Sequence, residues 1–380
     1  MVTADLDDGF RAGWIETNLA TIARNIREVE RFVGSATAVM AVVKANAYGH
    51  GLARVAEESV KSGAAMLGVA IVNEAVMLRR NGIESPILVL GCALPEESPR
   101  IVSHDISQVV SNMDIVRALS REGEKQGKLM KVHAKIDTGM GRVGVPFQDA
   151  VRFVREVVRF PKIELEGLMT HFSAADRPND LDYTHMQLNR FVSVIRELEK
   201  HGVSVRWKHA ANSAGVLFVP ESHLDLVRPG LLIYGISPIP NQFKIHIRPA
   251  LSLHARITQV KGVEASEDIS YGRTFTTKRK SRLGIVPLGY GDGFSRKHSN
   301  RGRVIVNGEY APIVGSVCMD QFVVDLTDAA KADLGDEVVL IGRQNGLEIS
   351  AWDLAKSMES IPYEVVSGLS ARIPRRFINA

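Results

Sequence analysis

Residues 41–51 read Ala-Val-Val-Lys-Ala-Asn-Ala-Tyr-Gly-His-Gly, and the way this stretch folds decides the rest. Val39 to Val43 form a β-branched apolar run, the pattern of a strand buried on both faces. The run ends in one lysine, Lys44. A loop follows with Asn46, Tyr48, Gly49, His50 and Gly51, and Leu52 opens a helical pattern. Lysine at the mouth of an apolar strand has two readings. It can snorkel to water at the strand end. Desolvated instead, it has a lowered pKa and a free amine, which is what a carbonyl-trapping nucleophile needs. Partners elsewhere in the chain decide between the two.

Working outward, Leu19, Ile22, Ile26 and Val29 recur at helical steps and predict a helix over residues 17–33. From residue 37 strands and helices alternate. Strands are expected at 37–44, 66–71, 87–90, 108–110, 131–136, 164–171 and 205–210, with an eighth at 224–227 continuing through 231–234. The helices between them fall at 52–62, 73–81, 96–103, 113–126, 148–158 and 183–201, and a short one starts at Ser213. Strand–helix units in that number argue for an α/β fold with a closed (β/α)8 barrel, TIM-like, rather than an open doubly wound sheet. After Pro238 and Pro240 the texture changes to short strand-like segments. Asn307-Gly308 and Asn345-Gly346 suit type I′ hairpin turns, and one helix is expected at 351–358. The reading is a barrel over residues 13–240 and a second, mainly β domain over 241–380. Residues 1–12 carry no periodic pattern and are left open to join that second domain.

Composition sets limits. A chain of 380 residues can bury two substantial cores, and its net charge of +4 comes from mixed signs rather than a basic block. The densest basic run, residues 278–282, lacks interleaved aromatics and reads as a solvated loop, not a nucleic-acid site. Cys92 and Cys318 are far apart with no metal-ligand spacing, so a reducing cytosol fits and no metal is expected. The first residues carry Asp5, Asp7 and Asp8 without an apolar core, so no signal peptide is expected. No apolar run reaches membrane-spanning length.

In such a barrel, chemistry sits at the C-terminal ends of the strands. The expected ends carry Lys44, the run Asp137-Thr138-Gly139-Met140-Gly141-Arg142, His171, Asn212-Ser213 and Arg228-Pro229-Gly230. Singly, each has a bland reading: a structural histidine, a solvated arginine. Their convergence on one rim makes the bland readings jointly improbable.

These same segments resemble the motifs of the alanine racemases, in the family's order, over residues 13 to 375. In that family the lysine of the first stretch holds pyridoxal 5′-phosphate (PLP) as an imine, which places that role on Lys44. Tyr48, Ser213, Gly230, Leu231 and Tyr363 match ligands of the phosphate, with Asn212 beside Ser213. His171 matches the histidine beside the cofactor ring, and Arg228 the arginine facing the pyridine nitrogen. Arg142 matches the arginine on the substrate carboxylate. Lys135 matches a lysine that in many members is carbamylated. Ile269-Ser270-Tyr271-Gly272-Arg273 resembles the tyrosine motif, Gly289-Tyr290-Gly291-Asp292-Gly293 the substrate entrance, and Cys318-Met319-Asp320-Gln321 a carboxylate contact at the Met319 N–H. Two positions depart from the common pattern, Ser316 where many members have Arg and Ser266 where Gly is common.

The resemblance implies interconversion of L- and D-alanine through a PLP external aldimine, supplying D-alanine for peptidoglycan. Lys44 and Tyr271 would act on opposite faces of Cα, with Tyr271 and Met319 supplied by the partner in a cytoplasmic homodimer. A phenol with a pKa near 10 is a poor base at neutral pH. Cationic neighbours, His171 and Arg228, are expected to lower it. Without the resemblance, Tyr271 reads as a strand tyrosine packed on its hydroxyl's hydrogen bond. Other readings are a broad-specificity or serine racemase on the same scaffold, a PLP decarboxylase, and a small non-catalytic PLP-binding barrel protein. The decarboxylases cradle phosphate with a Gly-rich run that residues 205–235 lack. The small barrel protein has no second domain.

Overall fold

The computed structural model describes residues 11–240, 244–329 and 331–379. The chain divides into two compact units. One holds Thr21–Ala47 and Leu52–Arg248; the other holds the chain up to Ala20, Tyr48–Gly51, and the chain from Pro249 onward. The chain opens with strand β1 (Gly13–Asn18) and helix α1 (Leu19–Val33).

The α/β unit is a barrel. Its strands are β2 (Ala38–Val42), β3 (Met66–Val69), β4 (Ile87–Val89), β5 (Ser107–Val110), β6 (Met130–Asp137), β7 (Ile163–Met169), β8 (Trp207–His209) and β9 (Leu226–Val227). They pair in parallel in the order β9-β2-β3-β4-β5-β6-β7-β8. The helices between them are α2 (Leu52–Lys61), α3 (Val72–Arg80), α4 (Ser98–Ser103), α5 (Met113–Gln126), α6 (Ala150–Val157), α7 (Asp182–Lys200) and α8 (Ser213–Phe218). Local chemistry sets their ends. Asn112 caps α5 by accepting from the N–H groups of Asp114 and Ile115, and Gly127 takes the left-handed conformation that stops it, at φ 69°. Met40, Met66, Leu88, Val109, Met169 and Leu226, one from each of six strands, pack as a buried layer inside the barrel. Each such side chain contributes about 1.5–3 kcal/mol on burial.

The seam between β8 and β9 is joined by a few bonds rather than a full ladder. Asp225 N donates to Lys208 O at 3.1 Å, and Arg228 N to Ala211 O at 3.0 Å. Lys208 N donates to the Asp225 carboxylate at 2.8 Å. The barrel is therefore nearly closed, and Asp225 substitutes a side chain for a missing backbone partner.

The second unit is mainly β. Its strands are β10 (Leu251–Arg256), β11 (Gln259–Val263), β12 (Ser281–Val286), β13 (Arg303–Val306), β14 (Glu309–Val314), β15 (Phe322–Asp325), β16 (Glu337–Gln344) and β17 (Arg375–Ile378), ordered β11-β12-β15-β14-β13-β16-β10-β1-β17. Asn307 and Gly308, at φ 53° and 82°, turn β13 into β14 as a type I′ hairpin. Helices α9 (Ala351–Met358) and α10 (Pro362–Ser367) complete it. Pro362 opens α10 where a missing N–H costs nothing. Among the described residues, no helix is long and apolar enough to cross a membrane.

Three expectations need correction. Residues 13–18 do not open the barrel; they form β1, antiparallel to β10 and parallel to β17 in the β unit, so the helix begins at Leu19 and the barrel unit at Thr21. Residues 231–234 do not extend the eighth strand. Pro229 and Gly230 break it, and Leu231–Tyr234 is a 3-10 turn. α10 was not expected at all. Of the leading segment, Arg11 and Ala12 lie with the β unit, Ala12 O accepting from Arg256 N at 2.9 Å; residues 1–10 and 241–243 fall outside the described residues.

Asp225→Ala removes the acceptor that ties the seam. It should lower stability by about 1–2 kcal/mol in urea unfolding. An unchanged midpoint would show that the backbone bonds alone hold the seam.

Candidate active site

Beyond β2 the chain makes a left-handed turn. Ala45, Asn46 and Ala47 have φ of 52°, 54° and 52° with ψ of 55°, 44° and 50°, and Tyr48 has φ 52°. None is glycine, and each costs roughly 1–2 kcal/mol in that conformation. The surroundings hold it. Ala47 N donates to Val43 O at 2.8 Å, Ala45 N to the Glu74 carboxylate at 2.6 Å, and Leu52 N to Asn46 Oδ1 at 2.8 Å. Lys44 stands at the start of this turn. Burial lowers the pKa of its amine, the Arg142 and Arg228 charges lower it further, and Glu74 opposes them.

Tyr48 belongs to the β unit, where its ring lies 6.0 Å from that of Tyr363. Burial and then Tyr363 push the Tyr48 hydroxyl up, so it remains a protonated donor. Gly49 is obligatory there: at φ 82°, a Cβ would sit 2.0 Å from Val366 O.

Arg228, just past β9, is 3% exposed. Its Nη1 donates to His209 Nδ1 at 3.0 Å; its Nη2 donates to Thr170 O at 2.7 Å and Ala210 O at 3.0 Å and lies 3.3 Å from His171 Nδ1. Burial brings Arg228 down to about 9, so it is still a cation at neutral pH. His171 is pushed well below the usual histidine range by burial, then by Arg228, Lys135, Arg142 and Lys44. The expectation that His171 acts as a cation is thereby corrected: at neutral pH it carries no charge.

Lys135, in β6, is buried. Burial, then Arg228 and Arg142, lower it to about 8, so an appreciable share of its amine is neutral near that pH. Arg142 is exposed in the loop after β6. The Asp137 carboxylate shapes that loop by accepting from Gly139 N at 2.9 Å and Gly141 N at 3.1 Å. Ser213 Oγ accepts from Gly230 N at 2.9 Å, which leaves its hydroxyl proton to donate. Asn212 caps α8, its Oδ1 accepting from Gly215 N at 2.9 Å. Leu231 opens a 3-10 turn, where the first N–H has no partner within the turn. The structure thus gathers Lys44, Lys135, His171, Ser213 and Arg228 at or just beyond the C-terminal ends of barrel strands.

Tyr271, Tyr290 and Met319 lie in the β unit with 74%, 44% and 53% of their surface exposed. Ser270 precedes Tyr271 at φ 66°, ψ −176°, a region almost reserved for glycine. Two bonds hold it: Ser270 Oγ donates to Ser316 O at 2.7 Å, and Ser316 Oγ to Tyr271 O at 2.8 Å. Ser316, the departure noted in the sequence, therefore braces this turn. Tyr290 N donates to Cys318 O at 3.0 Å and Gly291 N to Met319 O at 2.9 Å, which couples the other two loops.

Sequence reasoning missed His133, Glu166 and His209, which lie inside strands and contact one another beneath Arg228. The available signal was the alternation Lys131, His133, Lys135 along one face of a barrel strand.

The comparisons with known proteins agree with this geometry. The model of the alanine racemase N-terminal domain matches residues 17–238, and that of the C-terminal domain residues 250–377. An alanine racemase of Symbiobacterium thermophilum is 43% identical over 97% of this chain and 97% of its own length. The structure of the Bacillus anthracis alanine racemase with bound L-Ala-P superposes with a TM-score of 0.91, at 37% identity over 97% of this chain and 96% of that one. A histidine racemase of Leuconostoc mesenteroides subsp. sake gives a TM-score of 0.89 at 29% identity, over 99% of this chain and all of that one.

Lys135 titrates at about 8 in the fold against 10.5 for the ordinary side chain. Between those values the unfolded chain holds the extra proton, so stability rises as pH rises through this window. In carbon-dioxide-free buffer, the wild-type stability minus that of Lys135→Met should climb from pH 8 to 10.5 and be flat below 8. A difference flat throughout would contradict the shift.

Proposed function

This chain belongs to the alanine racemase family, and on that premise we propose that it interconverts L-alanine and D-alanine, with PLP as cofactor. The observation that carries the reading is the cluster at the barrel rim: a lysine whose pKa is lowered, beside a fully buried arginine. The donor set fits PLP. Lys44 offers an amine of lowered pKa to the aldehyde, and Ser213, Leu231 and the backbone at Gly230 offer close approach and donors for a phosphate. Tyr48 and Tyr363, whose rings lie 6.0 Å apart, match phosphate ligands of the family, and Arg228 can only donate toward the ring nitrogen. When bound, PLP supplies an electron-withdrawing ring that acidifies the substrate Cα–H.

The side chains then divide the work. Racemisation needs a proton taken from one face of Cα and another delivered to the opposite face, which one fixed base cannot do. Lys44 serves one face. Tyr271 serves the other, from the partner subunit of a homodimer, with Met319 N–H and Arg142 on the substrate carboxylate and Tyr290 at the entrance. The exposure of Tyr271, Tyr290 and Met319 supports an interface role, because clustered exposed apolar side chains mark association sites. Arg228, which can only donate, would leave the ring nitrogen of a bound cofactor unprotonated, a weaker electron sink that would favour quick reprotonation at Cα. Lys135, as its carbamate, would orient Arg142. In the cell we assign the enzyme to the cytoplasm, supplying D-alanine for peptidoglycan. Broad-specificity or serine racemisation is the second reading, favoured by the likeness to a histidine racemase; rates on alanine, serine and histidine decide it.

Tyr271→Phe should slow deuterium exchange at Cα of L-alanine by about 100-fold or more while sparing D-alanine. Equal loss for both isomers would reject the assignment of opposed bases. Arg228→Glu should raise conversion of the cofactor to its amine form about tenfold relative to racemisation, and no rise would remove Arg228 from control of the ring.

A further inference from the structure

Beneath Arg228 a file of buried polar side chains crosses the barrel. Arg228 Nη1 donates to His209 Nδ1 at 3.0 Å. His209 Nε2 lies 2.8 Å from His133 Nδ1, and His133 Nε2 lies 3.2 Å from Glu166 Oε2. Both imidazoles are fully buried, and Glu166 is 4% exposed. Ser107 Oγ donates to Glu166 Oε2 at 3.4 Å, and Lys131 Nζ, half exposed, stands 3.4 Å from Oε1. The backbone makes room for this file. The β6–β7 register slips at Val132/His133, and opposite it a Cβ on Gly167 would sit 2.4 Å from His133 Nδ1.

Donor counting leaves one arrangement of protons. A guanidinium has no acceptor, so His209 Nδ1 must be bare. Burial, above all, pushes both histidines below their usual range, with Arg228 acting in the same direction and Glu166 opposing it at His133, so each ring carries a single proton. That proton is on His209 Nε2 and is given to His133 Nδ1. His133 in turn carries its proton on Nε2 and gives it to Glu166. Burial alone would raise Glu166, but His133 and Lys131 outweigh it and keep the carboxylate ionised. Every N–H in the file points away from the arginine and toward the acid.

We propose that Glu166 is a positioning residue: acting through His133 and His209, it fixes the tautomer that keeps Arg228 seated and facing the cofactor ring. A carboxylate can only accept, so it forbids the reversed file. A group able to donate at that position would permit reversal, which puts His209 Nδ1–H against the Arg228 N–H, two donors face to face. The file then cannot hold the arginine. The consequence for the ring rests on the racemase reading above; the proton placement does not.

Neutron diffraction from perdeuterated crystals of the holoenzyme tests both. In wild type, single deuterons are expected on Nε2 of His133 and of His209. In Glu166→Gln, whose amide can accept or donate, a deuteron should appear on Nδ1 of at least one of the two rings. Its kcat for alanine should fall by about tenfold with KM within about twofold of wild type, because the arginine acts on the reacting step rather than on substrate capture. A deuteron on His209 Nδ1 in wild type overturns the proposal even if the variant does not fold. So does a variant with unchanged tautomers, or one with wild-type kcat. If the wild type does not racemise alanine, the functional reading fails, while the neutron map still decides the file.

Discussion

A guanidinium taken out of water is the constraint from which the rest of the site follows. A buried charge is tolerable only when its hydrogen-bonding capacity is met, and Arg228 meets it with the carbonyls of Thr170 and Ala210 and the bare nitrogen of His209. These acceptors come from the ends of neighbouring strands, so the barrel has to be nearly closed before the arginine can be seated. Once seated, its charge acts on every titratable group nearby. Lys44, Lys135, His171, His209 and His133 all hold their protons less tightly because of it, in addition to their own burial. The result is a rim of amines and imidazoles with weakened hold on their protons around a buried cation.

A second feature is stored strain. The left-handed run after Lys44 and the glycine-like conformation of Ser270 stand next to the two groups assigned to proton transfer. In both places the surroundings supply specific acceptors: Glu74 and Asn46 at the first, Ser316 at the second. Strain held in this way fixes a side-chain direction that a relaxed loop would leave free.

The sequence made much of this legible, and the failures have physical causes. Asn-Gly pairs announced hairpins because few other residues accept φ > 0 at two successive positions. Polar residues closing apolar strands announced the rim. β1 was missed because its partners are more than two hundred residues away and no local period marks a six-residue strand. Leu231–Tyr234 was misread because a short apolar run looks alike as strand or buried turn. The left-handed turn was invisible, since Ala45, Asn46 and Ala47 are held in it by bonds at Glu74, Asn46 and Val43 and not by glycine. His133, Glu166 and His209 escaped notice because each sits inside a strand, where a lone polar residue reads as a satisfied one.

Two amines, half-buried Lys44 and buried Lys135, lie near the same arginine, and both have lowered pKa values. Lys44 is assigned to the cofactor and Lys135 to the orientation of Arg142, and one measurement separates them. The protein is loaded with pyridoxal 5′-phosphate, reduced with borohydride and digested, and the pyridoxyl mass is located among the peptides. It should be found on Lys44 at one equivalent per chain; a label on Lys135, or one shared between the two, would contradict the assignment on which the mechanism stands.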